Sequence, residues 1–142
     1  VLQKCQQKPT VAEADECFFD SARENTNAAL CNLIKDNALK EQCNVGLAMK
    51  NGDPTQCFEA QSDVVRDKCL QDVAFNVRNP GQCSSIIHPD RQRRCVQDVA
   101  EVLENADVCM LVRDVGKRQD CKDAVSTSLD EKRQVTPPPP GL

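Results

Sequence analysis

The sequence is poor in the residues from which most protein cores and active sites are built. Its 142 residues include no Trp, no Tyr, one His and four Phe. It has no run of about 18 apolar residues, the length that a membrane-spanning helix requires, so we expect no membrane span. It has no excess of positive charge, since 18 Lys and Arg stand against 22 Asp and Glu, and this argues against nucleic acid as a partner. A core with so few aromatic side chains is expected to need covalent support.

Cysteine is the residue in excess, and its spacing reveals an internal repeat. The ten cysteines are Cys5, Cys17, Cys31, Cys43, Cys57, Cys69, Cys83, Cys95, Cys109 and Cys121. Successive cysteines stand alternately twelve and fourteen positions apart, which defines a 26-residue unit that occurs five times. A period of this length is typical of solenoids and other arrays of stacked units. We place the repeats at about 1–24, 25–50, 51–76, 77–102 and 103–128, in an array over residues 1–130 that precedes a Pro-rich tail at 131–142.

Two columns of capping residues recur in the repeats and mark where helices begin. Asn or Asp stands four residues before the first Cys of a repeat, at Asn27, Asp53, Asn79 and Asn105. Five residues after that Cys stand Thr10, Asp36, Ser62, His88 and Asp114. Most of these side chains accept hydrogen bonds well from the free amide groups of a helix N-terminus. Each repeat is therefore predicted to begin a helix twice.

The predicted helices alternate in length. The first helix of a repeat has about eight residues, as at 54–61 or 80–87, and the second has about fourteen, as at Asp63–Val77 or Pro89–Leu103. Apolar or small side chains recur four and five residues after the second Cys, which places one buried stripe on the longer helix. No alternating pattern predicts a strand. The predicted fold is all-α: a right- or left-handed α-solenoid of five disulfide-stapled 26-residue helical hairpins, with about ten helices.

The more closely spaced cysteines, twelve positions apart, are predicted to pair within each hairpin. On one continuous helix they would lie about 18 Å apart, whereas a disulfide needs Cα atoms within about 7 Å. A capping residue stands between them, so the chain turns there and the two cysteines can face each other. This register uses all ten cysteines, whereas the alternative pairing across the wider gaps leaves Cys5 and Cys121 single.

Metal or redox chemistry is the alternative interpretation of the cysteines. No Cys-x-x-Cys motif occurs, and one His cannot complete several zinc sites, so we expect no metal and no cofactor. Structural disulfides imply an oxidising compartment, which is extracellular, cell-surface or periplasmic. The start at Val1 is what we expect of a secreted chain freed of its signal peptide, and polar first and last repeats predict an array complete at five.

The sequence contains no recognisable catalytic constellation, so we predict that the protein is not an enzyme. Its one His, His88, occupies a helix-cap column, and no nucleophile-elbow or oxyanion motif accompanies it. The basic cluster that contains Arg91 and Arg94 places both side chains on one side of a predicted helix. This cluster is interpreted as a solvated face, or alternatively as a site for an anion or an acidic partner.

Other candidate interaction residues are aromatic or belong to the tail. They are Phe18, Phe19, Phe58, Phe75, Pro137, Pro138, Pro139, Pro140 and Leu142. Because Phe18 and Phe19 are adjacent, at least one must point away from the buried stripe. Four consecutive prolines favour polyproline II, which loses little entropy when it docks on aromatic surfaces. All four Phe lie in the first three repeats while the tail leaves the fifth, so residues 135–142 are predicted to contact a neighbouring subunit.

One stretch of the array carries a resemblance to known proteins. The pattern Cys-x-x-Ile-x-Asp followed by Cys-x-x-x-x-Ala, between Cys31 and Ala48, resembles the cysteine-repeat (Cys-x11-Cys) α-solenoid arrays of secreted prokaryotic proteins. The resemblance covers residues 1–128 and implies an exported helical array without implying an activity. The hairpins are also similar in architecture to Sel1-like and tetratricopeptide repeats, which are protein-binding scaffolds, although those repeats are longer and carry aromatic signatures that are missing here.

Two functions without catalysis compete for this sequence. The first is an extracellular structural or assembly protein, a subunit of a surface filament or complex that associates with itself or with a surface protein through the Pro-rich tail. The alternative is a soluble secreted protein-binding module that uses the face of the solenoid. The first predicts an assembled state that depends on the tail, and the second predicts a monomer with a groove.

Overall fold

The computed structural model describes residues 2–135, and within that range it is all-helical, with about 80% helix and no strand. The α-helices are α1 (Leu2–Gln6), α2 (Val11–Asn25), α3 (Ala28–Cys31), α4 (Asn37–Asn51), α5 (Asp63–Val77), α6 (Pro89–Leu103) and α7 (Arg118–Val135). Short 3-10 helices lie at Pro54–Glu59, Pro80–Ser85, Ala106–Leu111 and Val115–Lys117. The prediction of an all-α chain is confirmed. Short and long helices alternate as far as α6, and two short 3-10 helices then precede α7.

The chain divides into two compact units, Val1–Val73 and Ala74–Leu142. The division falls inside α5, between two residues of its buried stripe. The cysteine period carries no sign of this division, because the 26-residue spacing continues unchanged through α5. The boundary is therefore a property of the packing and not of the repeat.

The short helices begin at the predicted caps. The side chains of Asn27, Asp53, Asn79 and Asn105 each accept a hydrogen bond from the backbone amide two residues further on. The pKa of Asp53 lies below its ordinary value. The main cause is the hydrogen bond from the backbone amide of Thr55, and a hydrogen bond from the Thr55 side chain adds to it. The column of Asn and Asp therefore caps helices in the structure, as predicted.

The short helices are nevertheless shorter than the eight residues predicted. The segments Pro54–Glu59 and Pro80–Ser85 are 3-10 helices of six residues. The residue three positions after the Cys leaves the helix: Ala60, Ile86 and Val112 have extended backbone, and their amides bond to the carbonyl of the Cys. All three side chains are buried. The helix ends early because the extended residue carries its apolar side chain into the core.

The long helices have the predicted bounds at α5 and α6. Helix α4 begins after Asp36, whose carboxylate accepts the amide of Leu39 at 3.1 Å. His88 stands in the same column before α6 but makes no capping bond through its side chain. Pro89 still begins that helix, because its fixed φ suits the first helical position.

A left-handed residue follows each long helix that precedes another repeat. These residues are Thr26, Gly52, Arg78 and Glu104, with φ between 50° and 65°. At three of these ends the left-handed residue donates its amide to the carbonyl of a buried Ala four residues earlier, at Ala22, Ala48 and Ala100. Only Gly52 avoids the steric cost of a Cβ in this conformation. A left-handed residue thus ends the long helix of each of the first four repeats, whatever its side chain.

Each unit has a small apolar core around its cysteines. In the first unit the core cluster consists of Cys5, Phe18, Ala22, Leu30, Cys31, Ile34, Cys43 and Leu47. In the second unit the fully buried apolar side chains include Ile86, Val96, Val99, Ala100, Val112 and Val125. Most of these residues are small or medium in volume, so both cores are thin, as the shortage of aromatic residues predicted.

Five disulfides support the repeats, and the predicted pairing is confirmed. Each bridge joins cysteines at a sequence separation of 12: Cys5–Cys17, Cys31–Cys43, Cys57–Cys69, Cys83–Cys95 and Cys109–Cys121. Every bridge links a short helix to the long helix that follows, and the Cα–Cα distances lie between 5.3 and 5.7 Å. All ten cysteines are paired. Five intramolecular disulfides fit an oxidising compartment, extracellular or periplasmic.

The last helix extends beyond the predicted end of the array at residue 130. Helix α7 continues to Val135, and a guanidinium nitrogen of Arg133 lies 3.8 Å from a carboxylate oxygen of Asp130 one turn earlier. Residues 131–134 are good helix formers, so the helix does not stop where the repeat pattern ends. The remainder of the predicted tail, from Thr136 to Leu142 with Pro137, Pro138, Pro139 and Pro140, lies outside the described residues.

Asn44 is a buried polar residue whose hydrogen-bonding groups are unsatisfied within the described part of the chain. It is 1% exposed, and neither its amide nitrogen nor its carbonyl oxygen has a hydrogen-bond partner there. It directly follows the second Cys of its repeat, a position that Phe18, Leu70 and Val96 fill with buried apolar side chains in other repeats. A buried polar group without a partner costs about 1–3 kcal/mol.

Replacing Asn44 by Leu is therefore expected to stabilise the protein. We expect Asn44→Leu to raise the free energy of unfolding by about 1–2 kcal/mol, because the substitution removes an unpaired amide and adds apolar burial of similar volume. Denaturant unfolding followed by circular dichroism measures this change. The reverse substitution at the equivalent position, Leu70→Asn, is the matched control and should destabilise. A lower stability for Asn44→Leu would contradict the expectation.

Candidate binding groove in the first unit

The first unit contains a concave groove of about 380 Å³ between the turns of the first and second repeats. We call it the first-unit groove. It is lined by Gln6, Lys8, Pro9, Thr10, Val11, Ala14, Asp15, Phe18, Leu33 and Lys35. A cavity of this size falls within the range of sites that hold small ligands or short peptide segments. The lining mixes apolar side chains with hydrogen-bond donors, which is the composition expected of a binding site.

The buried carboxylate of Asp15 ties the second repeat to the first at the wall of this groove. Its two oxygens accept the backbone amides of Lys35 and Asp36 at 2.9 and 3.0 Å. Asp15 is 4% exposed, so a carboxylate shielded from water satisfies two backbone donors. The turn that carries Leu33 and Lys35 is thereby held against α2. We call this arrangement the repeat clamp.

A second pair of side-chain hydrogen bonds joins the fourth and fifth repeats in the other unit by different chemistry. The side-chain oxygen of Gln92 accepts the amide of Arg113, and its amide nitrogen donates to the carbonyl of Leu111, both at 3.1 Å. Gln92 is also buried. An amide thus satisfies one donor and one acceptor of the turn, where the carboxylate of Asp15 satisfies two donors.

Arg113 occupies the place in the second unit that corresponds to the first-unit groove. It lies in the same repeat column as Lys35, three repeats further along the chain, because each stands four positions after the first Cys of its repeat. Its guanidinium donates to the carbonyls of Ser84, Ile86 and Ile87 at the end of the preceding short helix. The guanidinium therefore packs into the crevice between the turns of the fourth and fifth repeats.

The equivalent residues in the first repeat line an open groove. Counting from the first Cys, the positions of Ser84, Ile86 and Ile87 correspond to Gln6, Lys8 and Pro9. All three line the first-unit groove together with Lys35. The first-unit groove is thus the crevice between two repeats that corresponds to the one filled by Arg113. In the first-unit groove, Lys35 occupies the column of Arg113.

The surface of the groove is apolar inside and rich in donors at its edge. Phe18 is buried beneath it, while Val11 and Leu33 are 55% and 41% exposed. Lys8 and Lys35 are exposed and carry ammonium groups, which only donate hydrogen bonds. Such a surface suits a guest that combines apolar area with hydrogen-bond acceptors and carries no positive charge.

Only one of the four predicted aromatic contact residues belongs to this groove. Phe18 lines it from below. Phe19 is partly buried, and the guanidinium of Arg23 lies 5.5 Å from the centre of its ring. Phe58 and Phe75 lie elsewhere on the surface, 49% and 44% exposed. Of the adjacent pair, Phe18 belongs to the core cluster of the first unit, and Phe19 packs against that cluster from a partly exposed position.

The predicted basic cluster and the single His lie in the second unit. Arg91 is partly buried and Arg94 exposed, both on α6, and His88 is exposed at the start of that helix. None of the three lines the first-unit groove. The structure therefore places the basic cluster and Phe18 in different units.

A second depression of about 370 Å³ in the first unit is lined mainly by charged residues. Its lining consists of Lys4, Lys8, Glu13, Glu16, Cys17, Asp20, Ser21 and Glu24. Among residues 2–135 no group of three or more His, Cys, Asp or Glu side chains is placed to hold a metal ion. In the part of the chain that the structure describes, no helix combines the length and the apolar character required to cross a membrane.

The residues that shape the groove carry little signal in the sequence. The predicted candidate residues include none of the four residues Asp15, Lys35, Gln92 and Arg113. A column-by-column comparison of the repeats would reveal that Lys35 and Arg113 align. No sequence signal marks Asp15, because an acidic residue on a helix is usually solvated.

Comparisons with protein-family models, with curated proteins and with solved structures give no match to this chain.

Proposed function

We propose that the protein is a non-enzymatic extracellular structural or assembly protein, a disulfide-stapled helical-repeat subunit of a surface filament or complex. The observation that carries the proposal is that every one of the five repeats has its own disulfide at the same spacing. Because each repeat is supported covalently, an array with a thin core can remain folded where thiols are oxidised. Such a chain is suited to form a stacked α-solenoid in an oxidising compartment, which is the cell surface, the extracellular space or the periplasm.

Self-association through the Pro-rich segment is the assembly mode that we propose. Residues 136–142 contain four consecutive prolines. Proline lacks the amide hydrogen that a helix requires, and consecutive prolines favour polyproline II. A stiff apolar segment loses little entropy when it docks, so it is well suited to join one subunit to the next. Its attachment to the end of α7 supports a role as a connecting arm.

Deleting residues 136–142 tests this function. We expect the complete chain to form assemblies that light scattering and electron micrographs detect, and the deleted chain to remain monomeric. Helicity and the five disulfides should be unchanged, because α7 and its bridge lie before the deletion. A chain that carries a Gly/Ser segment of equal length in place of residues 136–142 is the matched control and should also be monomeric. Normal assembly of the deleted chain would contradict the proposal.

A soluble secreted protein-binding module is the second candidate, and the first-unit groove is the observation that favours it. A groove of about 380 Å³ with apolar walls can hold a peptide segment without any assembly of the chain. This function predicts a complete chain that is monomeric at every concentration and whose groove binds a segment of another protein. The state of the complete chain in solution therefore separates the two functions.

A further inference from the structure

We propose that the first-unit groove is the docking site for residues 136–142 of a second copy of the chain. This inference rests on the proposed function, because it names the surface that receives the connecting arm. The segment has the sequence Thr-Pro-Pro-Pro-Pro-Gly-Leu. Its chemistry complements that of the groove in three respects: apolar surface, hydrogen bonding and charge.

The first respect is apolar surface. Val11 and Leu33 expose about half of their surfaces at the groove, and Phe18 and Pro9 also line it. Exposed apolar side chains around a concavity are typical of a surface that is covered in the functional state. Pyrrolidine rings present apolar area on a backbone that is already stiff, so their burial there is not offset by a large loss of conformational entropy.

The second respect is hydrogen bonding. Proline has no backbone amide hydrogen, so four consecutive prolines offer carbonyl acceptors and no donors. The edge of the groove offers donors in the ammonium groups of Lys8 and Lys35, in the hydroxyl of Thr10 and in the side-chain amide of Gln6. An ordinary peptide would also bring amide hydrogens that need acceptors. A run of prolines brings none.

The third respect is charge. Residues 136–142 contain no charged side chain, so their entry does not place a cation against Lys8 and Lys35 or bury a charge without a partner. A basic guest would be repelled by both lysines. The crevice that Arg113 fills in the second unit therefore indicates where a guest fits in the first unit, but the two lysines favour a neutral guest over a cationic one.

The repeat register supplies a substitution that closes the groove without disturbing the core. Lys35→Arg places a guanidinium in the column where Arg113 reaches the three carbonyls of the preceding turn. The carbonyls of Gln6, Lys8 and Pro9 are the equivalent acceptors in the first repeat. We expect the introduced guanidinium to fill the groove as Arg113 fills its counterpart, and the variant to be at least as stable as the original chain.

The first experiment measures binding of the N-acetylated peptide Thr-Pro-Pro-Pro-Pro-Gly-Leu to the chain that lacks residues 136–142; acetylation removes a terminal ammonium that the segment does not have in the chain. Calorimetry should detect binding, and both Leu33→Asp and Lys35→Arg should weaken it at least tenfold. Leu111→Asp is the matched control, because Leu111 is similarly exposed, 44% against 41%, and stands in the same repeat column as Leu33. Leu111→Asp should leave the affinity unchanged. Circular dichroism and thermal melting of each variant verify that it is folded.

The second experiment shows whether the segment docks on a second copy. A complete chain with Leu33→Asp has a segment but a disabled groove, and the chain that lacks residues 136–142 has a groove but no segment. Each alone should be monomeric, and their mixture should form a complex of two copies by light scattering. Failure of the peptide to bind, or undiminished binding by Leu33→Asp and Lys35→Arg, would overturn the inference.

The failure of the docking inference can be told apart from the failure of the proposed function. If the complete chain assembles and Leu33→Asp assembles equally well, the proposed function stands and the groove is the wrong receptor. If the complete chain is monomeric and the peptide binds only after residues 136–142 are removed, the segment docks on its own chain, and both proposals are wrong.

Discussion

Reduction of the five disulfides is expected to unfold the chain at room temperature. Each bridge closes a loop between cysteines at a sequence separation of 12. In the chain-entropy model, a loop of this size contributes about 3 kcal/mol of stability. Five bridges together contribute on the order of 15 kcal/mol, which equals or exceeds the whole folding free energy of a typical domain, about 5–15 kcal/mol.

The composition of the cores makes this dependence on disulfides strong. The fully buried side chains of both units are mostly Val, Ala, Leu and Ile, and one of the four Phe, Phe18, is buried. Such small cores leave little stability in reserve once the cross-links are removed. The reduced chain is therefore expected to lose its helices and not only to become less stable.

Far-ultraviolet circular dichroism of the reduced and alkylated chain measures this outcome. The matched control is alkylation without reduction, which should change nothing because all ten cysteines are paired. Replacing one pair, as in Cys31→Ser with Cys43→Ser, should cost about 3 kcal/mol and lower the Tm while leaving the chain folded. A reduced chain that melts cooperatively within a few degrees of the oxidised one would refute this account of its stability.

Loss of the repeat clamp is expected to give the largest effect of any single polar substitution in the first unit. Asp15→Ala removes both acceptors of the amides of Lys35 and Asp36. Hydrogen bonds to a charged group contribute about 1.5–3 kcal/mol each, and partial access of water to the exposed turn reduces the loss. We therefore expect a destabilisation of about 3 kcal/mol.

Asp15→Asn distinguishes the clamp from a simple packing effect. Asparagine has almost the same shape as aspartate but one acceptor and one donor group, so it can satisfy a single amide and presents its own N–H groups to the other. We expect it to cost about 1–2 kcal/mol, less than Asp15→Ala. Glu16→Ala, at the exposed neighbouring position, is the control and should lie within about 0.5 kcal/mol of the original chain.

Chemical denaturation followed by circular dichroism provides these comparisons. Equal stabilities for Asp15→Ala and the original chain would show that the turn at Lys35 and Asp36 does not depend on the carboxylate. A second readout is peptide binding at the first-unit groove, because Asp15 holds the turn that carries Leu33. We expect Asp15→Ala to weaken that binding, whereas Glu16→Ala should not.

The disulfide pairing could be predicted from the sequence because it depends on local geometry. A cap residue between two cysteines forces a turn, and only the shorter register uses all ten cysteines. The bounds of α5 and α6 were likewise predictable, because capping residues and proline mark where a helix begins. The lengths of the short helices were not, because they end where Ala60, Ile86 and Val112 turn extended to reach the core.

The first-unit groove could not be predicted from the sequence, although the residues that line it stand in the repeat columns. Phe18 was predicted to make contacts, but its burial beneath the groove follows from the position of the next repeat's turn, which Asp15 holds. Lys35 and Arg113 share a column, yet nothing in the column shows that the arginine reaches three carbonyls of the preceding turn. That contact depends on the distance between two turns in space.

By itself the sequence determined the helical class, the 26-residue period, the start of most helices and the partner of each cysteine. These features are set by interactions among residues close together in the chain, which a repeated pattern records directly. Only the tertiary structure decided where the chain divides into two units, that Asn44 is buried without partners in the described part of the chain, and that a groove lies between the first and second repeats. A cavity is the space that packed side chains leave between segments distant in sequence, so its existence depends on the whole arrangement of those segments.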